Sequence, residues 1–175
     1  MFESKSLARL LKWACTTVLV ALPLLILAYV FFERPTPANA SDIYSDVMIL
    51  SAPPTWAFML ANVFSLVSLV VLLAMVLNMR RLFDHYSQGR VLTFESAKLL
   101  QRIGRFLLAV ALLRLVSYPI LSVLLTLGNP EGQRQLSMAL TEGDIGFLIA
   151  AGFVFLVGTA MHEAAQNAED IKGFV

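Results

Sequence analysis

The sequence predicts an all-α integral membrane protein: a four-helix bundle with both termini in the cytoplasm and a cytoplasmic helical hairpin between spans 2 and 3. Three observations carry this. Residues 13–32, 56–77 and 145–161 contain no Asp, Glu, Lys or Arg, and residues 106–127 contain only Arg114. Of the 175 residues 58% are hydrophobic and 14% charged, against roughly a quarter charged in a soluble domain. The bases also crowd onto alternate connecting segments. Little chain is left over, so residues 1–175 read as a single transmembrane domain.

A helix needs about 20 apolar residues to cross the hydrocarbon core, and the four runs count 20, 22, 22 and 17. The short fourth run crosses with small flanking residues included, or with local thinning of the bilayer. Lys5, Arg9 and Lys12 precede the first run, and Arg34 is the one base of the first loop. Arg80, Arg81, Arg90, Lys98, Arg102 and Arg105 fall between the second and third runs, Arg134 in the third loop and Lys172 in the tail. The positive-inside rule then places both ends and the central segment in the cytoplasm. The outward loops carry Glu33, Asp42, Asp46, Glu131, Glu142 and Asp144. Trp13, Tyr29 and Trp56 stand near span ends, as interface anchors do. A cleaved signal peptide ending near Ala38-Asn39-Ala40 is the competing reading. The apolar run exceeds the 7–15 residues typical of a signal core, which disfavours it.

The loop at 33–55 holds Pro35, Pro37, Pro53 and Pro54 and reads as irregular, with one turn of helix near 42–50. The second span should continue as helix past the membrane through Tyr86, until Gly89 supplies a left-handed stop. Thr93 is the expected N-cap of a helix starting at Phe94. Lys98, Arg102 and Arg105 fall at i, i+4 and i+7, and Leu99, Leu100, Ile103, Phe106 and Leu107 cover the other side. Residues 80–105 therefore form a candidate cytoplasmic interface made of Arg80, Arg81, Arg90, Lys98, Arg102 and Arg105, with Glu163, Glu169 and Asp170 of the tail facing the same compartment. The basic face suits anionic headgroups, at about 1 kcal/mol per base, or an acidic protein partner. The tail acids are a third option, an intramolecular cap on the hairpin.

Arg114 is the expensive residue, costing about 2.5–3.5 kcal/mol near mid-span on insertion scales. No acid lies within the apolar runs to pair with it. Counted from the ends of antiparallel spans, Ser68 shares its depth and Ser65 that of Tyr118, while Asn62 sits further out. Pro119 frees a backbone carbonyl and should kink the helix. A polar seam of Asn62, Ser65, Ser68, Arg114, Ser117 and Tyr118 follows. It suits an anion, a lipid headgroup or a partner helix bearing a carboxylate, or simply hydrogen bonding between helices.

Several patterns point away from chemistry. Cys15 is the single cysteine and reads as a small apolar packing residue. His162-Glu163 begins like a zinc-protease motif, but Gln166 stands where the second His is required. His85 and His162, the two histidines, are too few for two membrane haems. Gly128 and Gly132 flank Pro130 and read as a turn, whereas Gly146, Ala150, Ala160, Ala164 and Ala168 have the four-residue spacing of close helix packing. Accordingly no catalytic residue, cofactor, metal or nucleic-acid contact is expected.

The stretch from Leu82-Phe83-Asp84-His85-Tyr86 through Gly89, Thr93-Phe94-Glu95 and Lys98 to Ile103-Gly104, together with the tail Ala164 to Val175, resembles the DUF2975 family. Leu92 departs from it, since Phe usually precedes the Thr. The resemblance implies a small bacterial four-helix protein of the cytoplasmic membrane and carries no activity or catalytic residue. The expected role is a non-enzymatic accessory, assembly or regulatory protein, acting by contact with a protein partner or itself and with anionic headgroups. The alternative is a small permease or lipid- or anion-binding protein using the Arg114 seam.

Overall fold

The computed structural model describes residues 2–45, 47–91, 93–134, 136–137 and 141–172, the first three and the last five of these by backbone alone. Its helices are α1 (Phe2–Glu33), α2 (Ala40–Ile43), α3 (Thr55–Ser87), α4 (Phe94–Thr126) and α5 (Glu142–Lys172). Among the described residues there is no strand. Four helices are long and apolar enough to cross a membrane, over Lys5–Glu33, Thr55–Ser87, Phe94–Thr126 and Glu142–Asn167. The fourth apolar run therefore lies within a longer helix. Large apolar side chains point away from the protein along α1 (Leu24, Leu25, Leu27, Phe31) and along α5 (Ile149, Phe153, Leu156). Exposed apolar surface on that scale points to a membrane protein.

The long helices alternate in direction and pack in chain order, α1 on α3, α3 on α4 and α4 on α5. Among the described residues α1 and α5 share no comparable interface, so the four form an open row rather than a ring closed on one core. An apolar solvent covers the flanks of such a row as well as protein would, which removes the drive to close it. The α4–α5 contact is the most extensive of the three and a close one. A Cβ on Gly104 would stand 2.4 Å from the Phe155 Cα, and one on Gly158 would stand 2.6 Å from the Gln101 backbone nitrogen.

The start of α1, the α3–α4 turn and the later part of α5 lie at one end, here the hairpin end. Lys12 Nζ donates to Asp84 Oδ1 at 2.7 Å, and Phe94 meets the His162 ring at 4.6 Å between centroids. The turn follows the expected chemistry. Gly89 has φ +81°, and Thr93, extended at φ −112°, accepts from the Ser96 backbone N–H through its side chain. Leu82, Leu99 and Ile103 are buried beneath it.

At the opposite, loop end the helical turn of the first connection comes earlier than 42–50. It spans a 3-10 turn at Pro37–Asn39 and then α2. Pro37 fixes φ for the first helical position, and Ala40 is fully buried against Phe58, Ala61 and Leu125. That packing decides where the turn forms. α4 runs unbroken through Pro119.

Candidate functional site

The seam residues divide. Ser65 and Ser68 of α3 and Arg114, Ser117 and Tyr118 of α4 line one open cavity of about 680 Å³, closed on another side by Thr141 and Asp144. Asn62 does not line it. One turn nearer the loop end, Asn62 donates to the Phe58 carbonyl at 2.9 Å, and its amide oxygen lies 3.5 Å from the Tyr44 hydroxyl. The serines of the cavity are anchored to their own helix. Ser65 donates to the Ala61 carbonyl and Ser117 to the Leu113 carbonyl.

Arg114 has an acidic partner, a question the apolar runs left open because none of them holds an acid. Its Nη2 lies 3.1 Å from Asp144 Oδ1. Asp144 stands outside the apolar run, in the first turn of α5, and the long arginine side chain reaches outward to it past apolar neighbours. Asp144 also accepts from the Thr141 hydroxyl at 2.7 Å, while its own backbone N–H donates to Thr141 Oγ1 at 3.3 Å. This reciprocal cap starts α5 and fixes the carboxylate that meets Arg114. The pattern Thr141-x-x-Asp144 before an apolar run was the signal available in the sequence.

The loop end has a second polar centre that sequence reasoning did not find. Asn129 is 3% exposed. Its Oδ1 accepts from the backbone N–H of Leu50 at 2.9 Å and of Ser51 at 3.2 Å, and its Nδ2 donates to the carbonyls of Met48 at 3.0 Å and Gln133 at 3.2 Å. One side chain thereby joins two connections nearly eighty residues apart. No local pattern announces such a role.

The basic hairpin residues also divide. Arg80 turns toward α1 and donates from Nε to Thr16 Oγ1 at 3.0 Å. Arg90 lies exposed on the turn and donates to Gln88 Oε1 at 2.6 Å. Arg81, Lys98 and Arg102 come together in a groove of about 410 Å³ with Asp84, His85 and Glu95. Arg81 and Arg102 also line an adjoining groove of about 520 Å³, with Arg105, Asn78, Phe106 and Ala109. Arg105 gives one N–H to Gln101 Oε1 at 2.9 Å. Among the described residues none of Arg81, Lys98, Arg102 and Arg105 has a carboxylate within ion-pair distance.

The acidic cap, a third option for the tail, falls mostly outside the described side chains. Glu163 is exposed on α5, and the side chains of Glu169 and Asp170 lie outside the described residues. The hairpin's described ion pair runs instead from Asp84 to Lys12 of α1. His85 Nδ1 lies 3.4 Å from Ser96 Oγ, which donates to the Arg90 carbonyl at 2.8 Å and receives the Thr93 hydroxyl at 3.0 Å. These side chains close the turn. Among the described residues no group of three or more His, Cys, Asp or Glu is arranged to hold a metal ion.

Residues 35–172 match the family described as "Protein of unknown function (DUF2975)". The chain belongs to the DUF2975 family. No curated protein and no solved structure matches it. The residues that carry the DUF2975 resemblance thus have structural work in this fold. His85, Gly89, Thr93 and Ser96 build the α3–α4 turn, and Gly104 admits the backbone of α5.

Proposed function

We propose that this DUF2975 protein is a non-enzymatic accessory, assembly or regulatory protein of the bacterial cytoplasmic membrane, acting by contact. In this reading both termini and the hairpin face the cytoplasm, because the bases concentrate at that end of the helices. One observation carries the assignment of the working surface. Arg81, Lys98, Arg102 and Arg105 line two adjoining grooves, and although Asp84 and Glu95 line one of them, none of the four bases has a carboxylate within ion-pair distance among the described residues. Cations that fold stability does not use are free for a partner.

The test is mild extraction of the tagged protein from native membranes, with stoichiometric partners read by mass spectrometry, for the wild type and for K98E/R102E/R105E. The reading expects a stoichiometric partner, or the self-associated form, to be lost in the variant at unchanged abundance. Unchanged association and an unchanged deletion phenotype would sink it.

The cavity at Arg114 supports a second reading, a small permease or lipid- or anion-binding protein. Arg114→Leu separates the two. A permease loses flux and keeps its partners, whereas an assembly factor loses partners or abundance.

A further inference from the structure

We propose that the groove lined by Asn78, Arg81, Arg102, Arg105, Phe106 and Ala109 binds an anionic glycerophospholipid, its phosphate on the three arginines and the upper part of an acyl chain along Phe106 and Ala109. The proposal rests on the reading that the hairpin stands at the membrane surface, and it names one partner of that surface.

Three features of the groove lead to this occupant. The first is charge. Arg81 and Arg102 line both adjoining grooves, and Lys98 and Arg105 extend the cationic surface on either side. The acids nearby do not cancel it. Asp84 is engaged by Lys12, which leaves Glu95 as the one lining acid without an ion-pair partner among the described residues. Guanidinium groups present planar forks of N–H donors that match phosphate oxygens.

The second feature is depth. Asn78 and Arg81 of α3 and Arg102 and Arg105 of the antiparallel α4 line the same groove. On both helices the charged run ends at this level, since residues 56–77 and 106–113 carry no charge. The groove therefore lies where headgroup gives way to hydrocarbon.

The third is the apolar wall. A free phosphate or an acidic peptide satisfies the arginines but leaves Phe106 and Ala109 uncovered. A phospholipid covers both, because its phosphate and acyl chain are joined at the spacing of a headgroup boundary. The wall is what selects lipid over a soluble anion.

The full-length protein, purified in a neutral detergent, is incubated with equal amounts of phosphatidylglycerol and phosphatidylcholine and its retained lipid is read by native mass spectrometry. Retention of phosphatidylglycerol should exceed that of phosphatidylcholine about tenfold, an effect that takes more than one such cation. R81Q/R102Q should abolish the preference, while R90Q/R134Q, which removes two bases away from the groove, should keep it. Millimolar glycerol phosphate should not displace the lipid. Should R81Q/R102Q fail to fold, as judged by helicity and elution, R105Q tests the same groove and should weaken the preference about fivefold.

Equal retention of the two lipids by the wild type overturns the proposal. So does an equal loss in R90Q/R134Q, which means diffuse surface charge, or displacement by glycerol phosphate, which means a soluble-anion site. Partner association is measured separately in native membranes. A failed lipid preference with intact association therefore counts against the lipid alone.

Discussion

The two ends of the helical row are held by different means. At the loop end, polar side chains are spent on the chain itself: Asn129 ties residues 48–51 to residue 133, Ser122 receives the Ser137 backbone N–H at 3.1 Å, and Asp144 holds both Thr141 and Arg114. At the hairpin end, α4 and α5 are joined by backbone approach at Gly104 and Gly158, and the core beneath the turn is Leu82, Leu99 and Ile103. Packing there does not need Arg81, Lys98, Arg102 or Arg105. The loop end has converted its polar groups into fold; the hairpin end spends Lys12 and Arg80 in that way but leaves Arg81, Lys98, Arg102 and Arg105 outside any ion pair among the described residues.

The most damaging way to break this comparison is to add volume where the backbones meet. Gly104→Val and Gly158→Val place carbons against backbone atoms that cannot rotate away, so each should lower stability by about 3 kcal/mol or more. A thermal or denaturant melt of the detergent-solubilised protein measures this. A loss under half that size would mean that the α4–α5 contact is looser than drawn.

Asn129→Ala comes next. It leaves buried backbone groups of two loops without their partner, and the cost should be about 1–3 kcal/mol. Hydrogen exchange should rise at Leu50 and Ser51, whose N–H groups it accepts from, with residues near Gly89 unaffected. A uniform rise along the chain would show that the two ends are not independently stabilised.

Arg114→Leu should shift the melt less than Asn129→Ala. The arginine side chain is 65% exposed along the cavity, and its replacement also removes the cost of holding a cation near the apolar run. A larger shift would make the Arg114–Asp144 pair a main fastening of α5.

The smallest effect on stability belongs to K98E/R102E/R105E. These side chains lie on an exposed face, so the melt should move little while association and lipid retention change. A collapse of the fold in this variant would erase the distinction between the two ends.

How much of this was legible in the sequence depends on the range of the interaction. The α3–α4 turn was fully local: Gly89 and Thr93 sit at the positions where a helix stop and a cap were expected, and both take those conformations. Depth matching by counting residues brought together Ser65, Ser68, Arg114, Ser117 and Tyr118, because a regular helix preserves depth over several turns. Counting also put Asn62 further out, and there it meets Tyr44, from a loop with no regular rise, instead of the cavity. The partner of Arg114 stayed open for a different reason. An arginine side chain spans more than a helical turn, so searching at its own Cα depth passed over Asp144.

The sequence by itself determined four long apolar helices, their alternation and the concentration of bases at one end, since each depends only on composition and on contacts within a few residues. Tertiary structure decided the open row, the Asn129 clasp and the division of the bases into paired, turn-bound and groove-lining sets. Those depend on which surfaces meet across tens of residues. Arg80 and Arg81 are neighbours in the chain and both cationic, yet one turns to α1 and the other to the groove. The direction a side chain takes around a helix is local, but what waits in that direction is not.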